Sequence, residues 1–191
     1  MAAAQGSLGS WDARTIVSNM LPLLIVLCLI VLWAGITLEE ARELLDEFGL
    51  LAIMVPTMVG AGGNLGTILS SRLTTRLHLG TTELDLRYRV LWANVTAVLA
   101  LAATVFSTLA LVAWVIGHLI DAPLPLSALV TISLVSGMSV AVISVVLSIV
   151  TTYGSYRLGI DPDDMTVPIV TNVVDVFGMV IFIGVSTLVL T

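Results

Sequence analysis

Apolar residues run along this chain in five long blocks separated by short polar connections, and few polar residues interrupt any block. A helix crossing the ~30 Å hydrocarbon layer of a bilayer needs roughly 20 such residues. Five blocks reach that length, at about Ile16 to Ile36, Gly49 to Ser70, Val90 to Ile116, Leu126 to Val150 and Val167 to Leu190. They predict an all-α, polytopic membrane protein with five transmembrane helices. The first block is too long for a signal peptide and no small-residue cleavage site follows it, so it is expected to remain as a span. The expected layout is a short N-terminal cytoplasmic segment, residues 1–15, followed by one membrane domain, residues 16–190.

Composition agrees with lipid as the main solvent. Of the 191 residues, 58% are hydrophobic and 10% charged, against roughly 25% charged in an ordinary soluble domain. Mean hydropathy is +1.12. The single Cys28 cannot form an intrachain disulfide, which excludes a disulfide scaffold. With a net charge of −6 and no basic run, no nucleic-acid partner is expected. No nucleophile–base pair and no metal-catalytic set occurs, so the chain does not read as an enzyme and no cofactor is expected.

Charge also predicts an orientation. All seven basic residues are arginines. Arg14 precedes span one, Arg72, Arg76, Arg87 and Arg89 flank the second connection, and Arg157 lies in the fourth; Arg42 alone falls on the opposite side. Basic residues collect on the cytoplasmic side of membrane proteins. The N-terminus is therefore expected inside and the C-terminus outside, and any homodimer should be parallel. Trp33 and Trp114 fall near predicted outer ends and Trp11 and Trp92 near inner ends, as interfacial anchors do. The acidic segment Glu39 to Glu47 is expected outside, either as a solvated helical cap or as a funnel that concentrates cations.

Function in a membrane is sought where a span breaks the apolar rule. Asp175 lies eight residues past Val167, about 12 Å along a helix and close to mid-membrane. A carboxylate there costs about 2.5 to 3.5 kcal/mol on insertion scales, so it should face a bundle interior or a water-filled cavity. The chain has no lysine, and no arginine falls in a span core. The missing counter-charge is either a bound or transported cation, or the acid is protonated and bonded to a neighbouring helix. Thr171 at i−4 and Asn172 at i−3 share its helix surface. Pro168 is expected to open the helix, and Gly178 to admit a neighbour.

Span two carries Pro56 and then Gly60-Ala61-Gly62-Gly63-Asn64-Leu65-Gly66-Thr67. Gly60, Asn64 and Thr67 fall on one helical face with Gly63 beside them. Four glycines so close together either permit tight helix packing or form an unwound turn that lines a cavity with Asn64. Span four has a small-residue stripe at Ser133, Gly137, Ala141, Ser144 and Ser148, which reads as packing, and Asn94, Thr104 and Thr108 in span three read likewise. The fourth connection, Asp161-Pro162-Asp163-Asp164, suits either a hard divalent cation or a helix N-cap. His78 and His118 stand isolated and read as interface residues.

Taken together, Pro56, Gly62-Gly63-Asn64-Leu65-Gly66, Asp161-Pro162, Pro168, Thr171 and Asp175 resemble the membrane domain of the MgtE magnesium channels. Gly63-Asn64-Leu65 followed by Ser71-Arg72-Leu73-Thr74-Thr75 is similar to the related solute carrier 41 magnesium transporters. The resemblance covers all five spans in order. It implies magnesium transport across the cytoplasmic membrane by a homodimer whose pore is lined by spans two and five. It further implies metal-contacting roles for Asp175 as the central pore acid, Asn64 as a pore-facing amide, Thr171 through its backbone carbonyl, and Asp161 at the cytoplasmic mouth. Two departures stand out. Nothing in the sequence matches the family's cytosolic magnesium-sensing and CBS domains, so gating by those parts is not expected. Thr67 stands where the channel branch commonly has glutamine, which leaves fine selectivity open. The expected partners are Mg2+, the lipid bilayer and a second copy or a similar chain as a heterodimer. Exchange against sodium or protons, and a non-transporting structural subunit, are the rival readings.

Overall fold

The computed structural model describes residues 13–80 and 89–191. Trp11, Arg87 and the first twelve residues of the expected N-terminal segment lie outside the described residues. Within them the chain forms six helices: α1 (Ala13–Glu40), α2 (Arg42–Glu47), α3 (Gly49–His78), α4 (Arg89–Leu119), α5 (Leu126–Arg157) and α6 (Pro162–Leu190). Five are long and apolar enough to cross a membrane, and these are the five spans expected. The short helix α2 is the acidic cap between the first two. Arg42 there pairs with Glu39 at 3.3 Å and Asp46 at 3.7 Å in exposed positions, where such pairs add little stability.

The helices run past the apolar blocks because a polar residue outside the hydrocarbon layer does not stop a helix. Helix α3 continues to His78, and Arg76 and His78 in its last turn meet the negative end of its dipole. Helix α6 begins at Pro162, not at Pro168. Asp161 caps it by accepting from the Asp163 backbone N–H at 3.0 Å, Pro162 follows the cap, and Asp163 and Asp164 occupy the first turn. This is the N-cap reading of the acidic connection, with each residue suited to its place. Pro168 is thus interior, and its carbonyl accepts from Asn172 Nδ2 at 2.7 Å and Thr171 Oγ1 at 3.2 Å.

At the centre α3, α5 and α6 pack on one another, α4 covers α5 and α3, and α1 leans on α6. The small-residue stripe of α5 makes this possible. Gly137 receives the Phe106 ring, which a Cβ there would overlap, and Ser133 Oγ donates to Phe106 O at 2.7 Å. On the other side Ser144 Oγ donates to Gly62 O at 3.0 Å and Ser148 Oγ to Gly66 O at 2.9 Å. The rising numbers in both partners show that α3 and α5 run parallel. Gly62 meets Val174 and Gly66 meets Val170, so α6 runs against them. Among the described side chains of α1, Leu27 and Ala34 are the buried ones and Leu29, Leu32 and Trp33 are exposed, as suits a peripheral helix facing lipid.

Candidate functional site

Helix α3 remains helical through all four of its clustered glycines, and the glycines divide by direction. Gly62, Gly63 and Gly66 are buried and face α5 and α6, whereas Gly60 is exposed with nothing within 4 Å of a Cβ built there. Tight packing therefore accounts for two of the four, Gly62 and Gly66, without an unwound turn. A Cβ at Gly66 would overlap Ser144 Oγ and Val170 Cγ1, and one at Gly62 would overlap Val140. Gly60 belongs to an uncovered stripe with Thr57, Asn64, Ser71 and Thr75, all exposed, and with the half-buried Thr67. Thr57 was not singled out from the sequence, although its spacing of three from Gly60 and seven from Asn64 puts it on that face.

Helix α6 places its acid beside Gly63, the buried neighbour of Asn64 on α3. A Cβ at Gly63 would lie 3.7 Å from Asp175 Oδ1 and 3.6 Å from the Thr171 Cα, so the two residues stand one turn apart against α3 at the level of Asn64. Asp175 is half-buried near the middle of the helix. Among the described residues its carboxylate has no hydrogen-bond or ion-pair partner, and neither does the Asn64 side chain. The Thr171 hydroxyl is turned inward to Val167 O at 2.9 Å. At Gly178, one turn beyond Asp175, a Cβ would lie 3.7 Å from both Val59 and Val140, so α6 stays close to both neighbours.

Asp161 stands apart from this group, at the start of α6. The structure gives it a neighbour that sequence spacing concealed: His78 Nε2 lies 3.8 Å from Asp161 Oδ1. His78 is therefore not isolated; folding brings the end of α3 to the start of α6, which no local motif announces. Oδ1 also serves the helix cap, so Oδ2 is the oxygen without a partner among the described residues. His118 keeps a local role, its Nδ1 2.8 Å from Trp114 O and its ring stacked obliquely on Trp114 with centroids 4.6 Å apart. No group of three or more His, Cys, Asp or Glu side chains gathers among the described residues. An ion held against this face would meet the Asp175 carboxylate together with neutral oxygens. That donor set suits a hard cation that keeps part of its water shell.

Comparison with known proteins gives a consistent likeness. Residues 55–185 match the family model MgtE, described as divalent cation transporter. The magnesium transporter MgtE of Thermus thermophilus is 31% identical over 170 residues, which cover 87% of this chain and 35% of that protein. Solute carrier family 41 member 3 of Mus musculus is 29% identical over 154 residues, 77% of this chain and 31% of that protein. Its counterpart in Rattus norvegicus is 31% identical over 134 residues, 68% of this chain and 29% of that protein. The chain thus spans about a third of the length of the curated relatives it matches. The matched stretch contains Asn64, Asp161, Thr171 and Asp175.

Proposed function

Because the chain belongs to the MgtE family of divalent cation transporters, we propose that it carries magnesium across the cytoplasmic membrane through a pore between two parallel copies, lined by α3 and α6. The observation that carries this reading is the Asp175 carboxylate: it sits in the middle of α6, without a partner among the described residues, beside Gly63 of α3, whose neighbour Asn64 stays uncovered. In the proposed arrangement the membrane domain is residues 16–190, the N-terminal segment 1–15 is cytoplasmic and the C-terminus is outside, as the arginine distribution supports.

The physical chemistry favours outer-sphere recognition. Magnesium gives up water reluctantly and demands near-octahedral geometry. Two Asp175 carboxylates facing across a two-fold axis hold the hydrated ion through its waters. The Asn64 amides and the Thr171 carbonyls orient those waters. Such contacts attract the ion without stripping it, so it can leave as readily as it enters. Asp161, at the inner end of α6, offers Oδ2 to ions arriving at or leaving the mouth.

The test is magnesium uptake into liposomes containing the purified protein, under an inside-negative potential, with Asp175→Asn as the comparison. The expected result is flux in the parent that falls at least tenfold in the variant while dimer content is unchanged. Flux that persists in Asp175→Asn sinks the pore assignment. An absence of flux from folded parent dimers, with or without sodium and proton gradients, sinks the transport reading itself.

A further inference from the structure

We propose that the cavity between the end of α3 and the first turns of α4 binds the phosphate headgroup of an anionic phospholipid. The cavity measures about 530 Å3 and is lined by Ser71, Arg72, Thr75, Arg76, Leu79 and Asn94. The buried Asn94 amide holds it in shape. Its Nδ2 donates to Val90 O at 2.8 Å, and its Oδ1 accepts from Arg72 Nη1 at 3.3 Å. A fixed acceptor on α4 thus steers an otherwise exposed guanidinium and leaves the rest of its fork toward the cavity. Arg76 stands one turn further on. Ser71 contributes a hydroxyl, and the Thr75 hydroxyl donates to Ser71 O at 2.8 Å, so its oxygen remains an acceptor only. The charged side chains among the described lining residues are the two arginines, in a chain of net charge −6.

Guanidinium groups take phosphate oxygens in pairs, with charge-assisted hydrogen bonds in a planar fork. Basic pockets between transmembrane helices at the membrane surface are where phospholipid headgroups are held. The surroundings distinguish a lipid from a free anion. Ile68, one turn from Arg72 toward the membrane centre, is 41% exposed, and Leu79 at the rim is 69% exposed. Trp92, two residues before Asn94, is 56% exposed, at the level where indole rings anchor to the interface. A phosphodiester carrying acyl chains matches both the basic floor and this apolar margin; inorganic phosphate matches only the floor. The inference stands apart from ion conduction, and its test does not depend on flux.

The experiment is native mass spectrometry on the purified, delipidated full chain in detergent. It is titrated separately with phosphatidylglycerol, phosphatidylcholine and inorganic phosphate. Two surface arginines at a bilayer interface favour an anionic lipid by roughly 30-fold, the preference expected in the parent. The preference should shrink to a fewfold in Arg72→Gln/Arg76→Gln and persist in Arg14→Gln/Arg157→Gln, which removes the same charge elsewhere. Arg72→Lys, which keeps the charge but loses the fork, should bind severalfold more weakly than the parent. Four outcomes overturn the proposal: equal binding of the two lipids by the parent, an equal loss in both double variants, a Lys variant that binds like the parent, or displacement of phosphatidylglycerol by millimolar inorganic phosphate. The last would make the cavity a site for a soluble anion.

Discussion

Two identical substitutions six residues apart on α3 should have opposite effects on stability. At Gly66 an added methyl group would overlap Ser144 Oγ and Val170 Cγ1 and lie 3.2 Å from Ser148 Oγ. Val170 is fully buried, and Ser144 and Ser148 both hold carbonyls of α3, so none of the three is the free end of a flexible chain. Overpacking of this kind costs about 1–3 kcal/mol. Pushing Ser144 off Gly62 O forfeits a hydrogen bond of about 1 kcal/mol. Alanine returns about 1 kcal/mol through its better helix propensity. Gly66→Ala should therefore lose about 1–3 kcal/mol. At Gly60 nothing lies within 4 Å of the new methyl group, so only the propensity gain of up to about 1 kcal/mol remains. Reversible unfolding in mixed detergent micelles, followed by circular dichroism, measures both. A Gly66→Ala variant as stable as Gly60→Ala would refute the three-helix junction. The same pair tests the proposed pore in reverse, since Gly60→Ala places bulk on the uncovered stripe and should reduce flux despite its stable fold.

Further outcomes follow from individual side chains. Asp161→Asn keeps a residue equally good at capping, whereas Asp161→Ala removes the cap at a cost of about 1 kcal/mol; melting curves should separate the two, while magnesium flux should drop in both if the carboxylate serves the mouth. Among the described residues the buried hydroxyl of Thr152 has no hydrogen-bond partner, so Thr152→Val should be neutral or stabilising by up to about 1 kcal/mol, and a clear loss of stability would mean an unrecognised partner. Ser148→Ala should instead destabilise by about 1 kcal/mol, because its hydroxyl bonds Gly66 O at 2.9 Å and Ser144 O at 2.7 Å. Exchanging magnesium for the larger calcium should lower flux through the parent, measured by competition in the liposome assay, if recognition acts through a retained water shell.

The five spans were legible because the length of an apolar block reports directly on the thickness of the hydrocarbon layer. Helix ends were less so, since the blocks stop where lipid stops and the hydrogen-bond ladder does not. The start of α6 was nevertheless written in Asp161-Pro162-Asp163-Asp164, a capping acid, a proline and two acids for the helix dipole; the apolar count had placed the start at Val167. The division of labour among the glycines was not legible. Gly60, Gly62, Gly63 and Gly66 have the same chemistry, and only the positions of α5 and α6 decide which are covered. The approach of His78 to Asp161 had no local signal at all, because it depends on where α3 ends relative to α6. Asp175 stands out in the sequence as a candidate for the opposite reason. A charge in an apolar block is costly wherever the helix turns, so it marks a candidate before the fold is known.

The proposed dimer draws its main support from that cost. A helix that spans lipid can hide polar residues against its neighbours in the same chain, and this chain does so with Ser133, Ser144 and Ser148, all fully buried. It does not do so with Thr57 and Asn64, which remain uncovered on α3, the helix whose Gly63 lies beside the Asp175 carboxylate. A threonine hydroxyl can return to its own helix and tolerate lipid, as Thr104 and Thr108 do on α4. An asparagine amide and a carboxylate without partners among the described residues cannot, and at mid-membrane the acid alone costs about 2.5 to 3.5 kcal/mol. A second copy placed against this face, with water and a cation between the two acids, removes the exposure and supplies the missing charge together. A partner helix that merely filled the stripe with apolar side chains would leave both acids buried and unpaired, a costlier state than the one it replaced. The arrangement of uncovered polar residues thus favours an interface that stays wet, and a wet interface spanning a bilayer is a path for an ion.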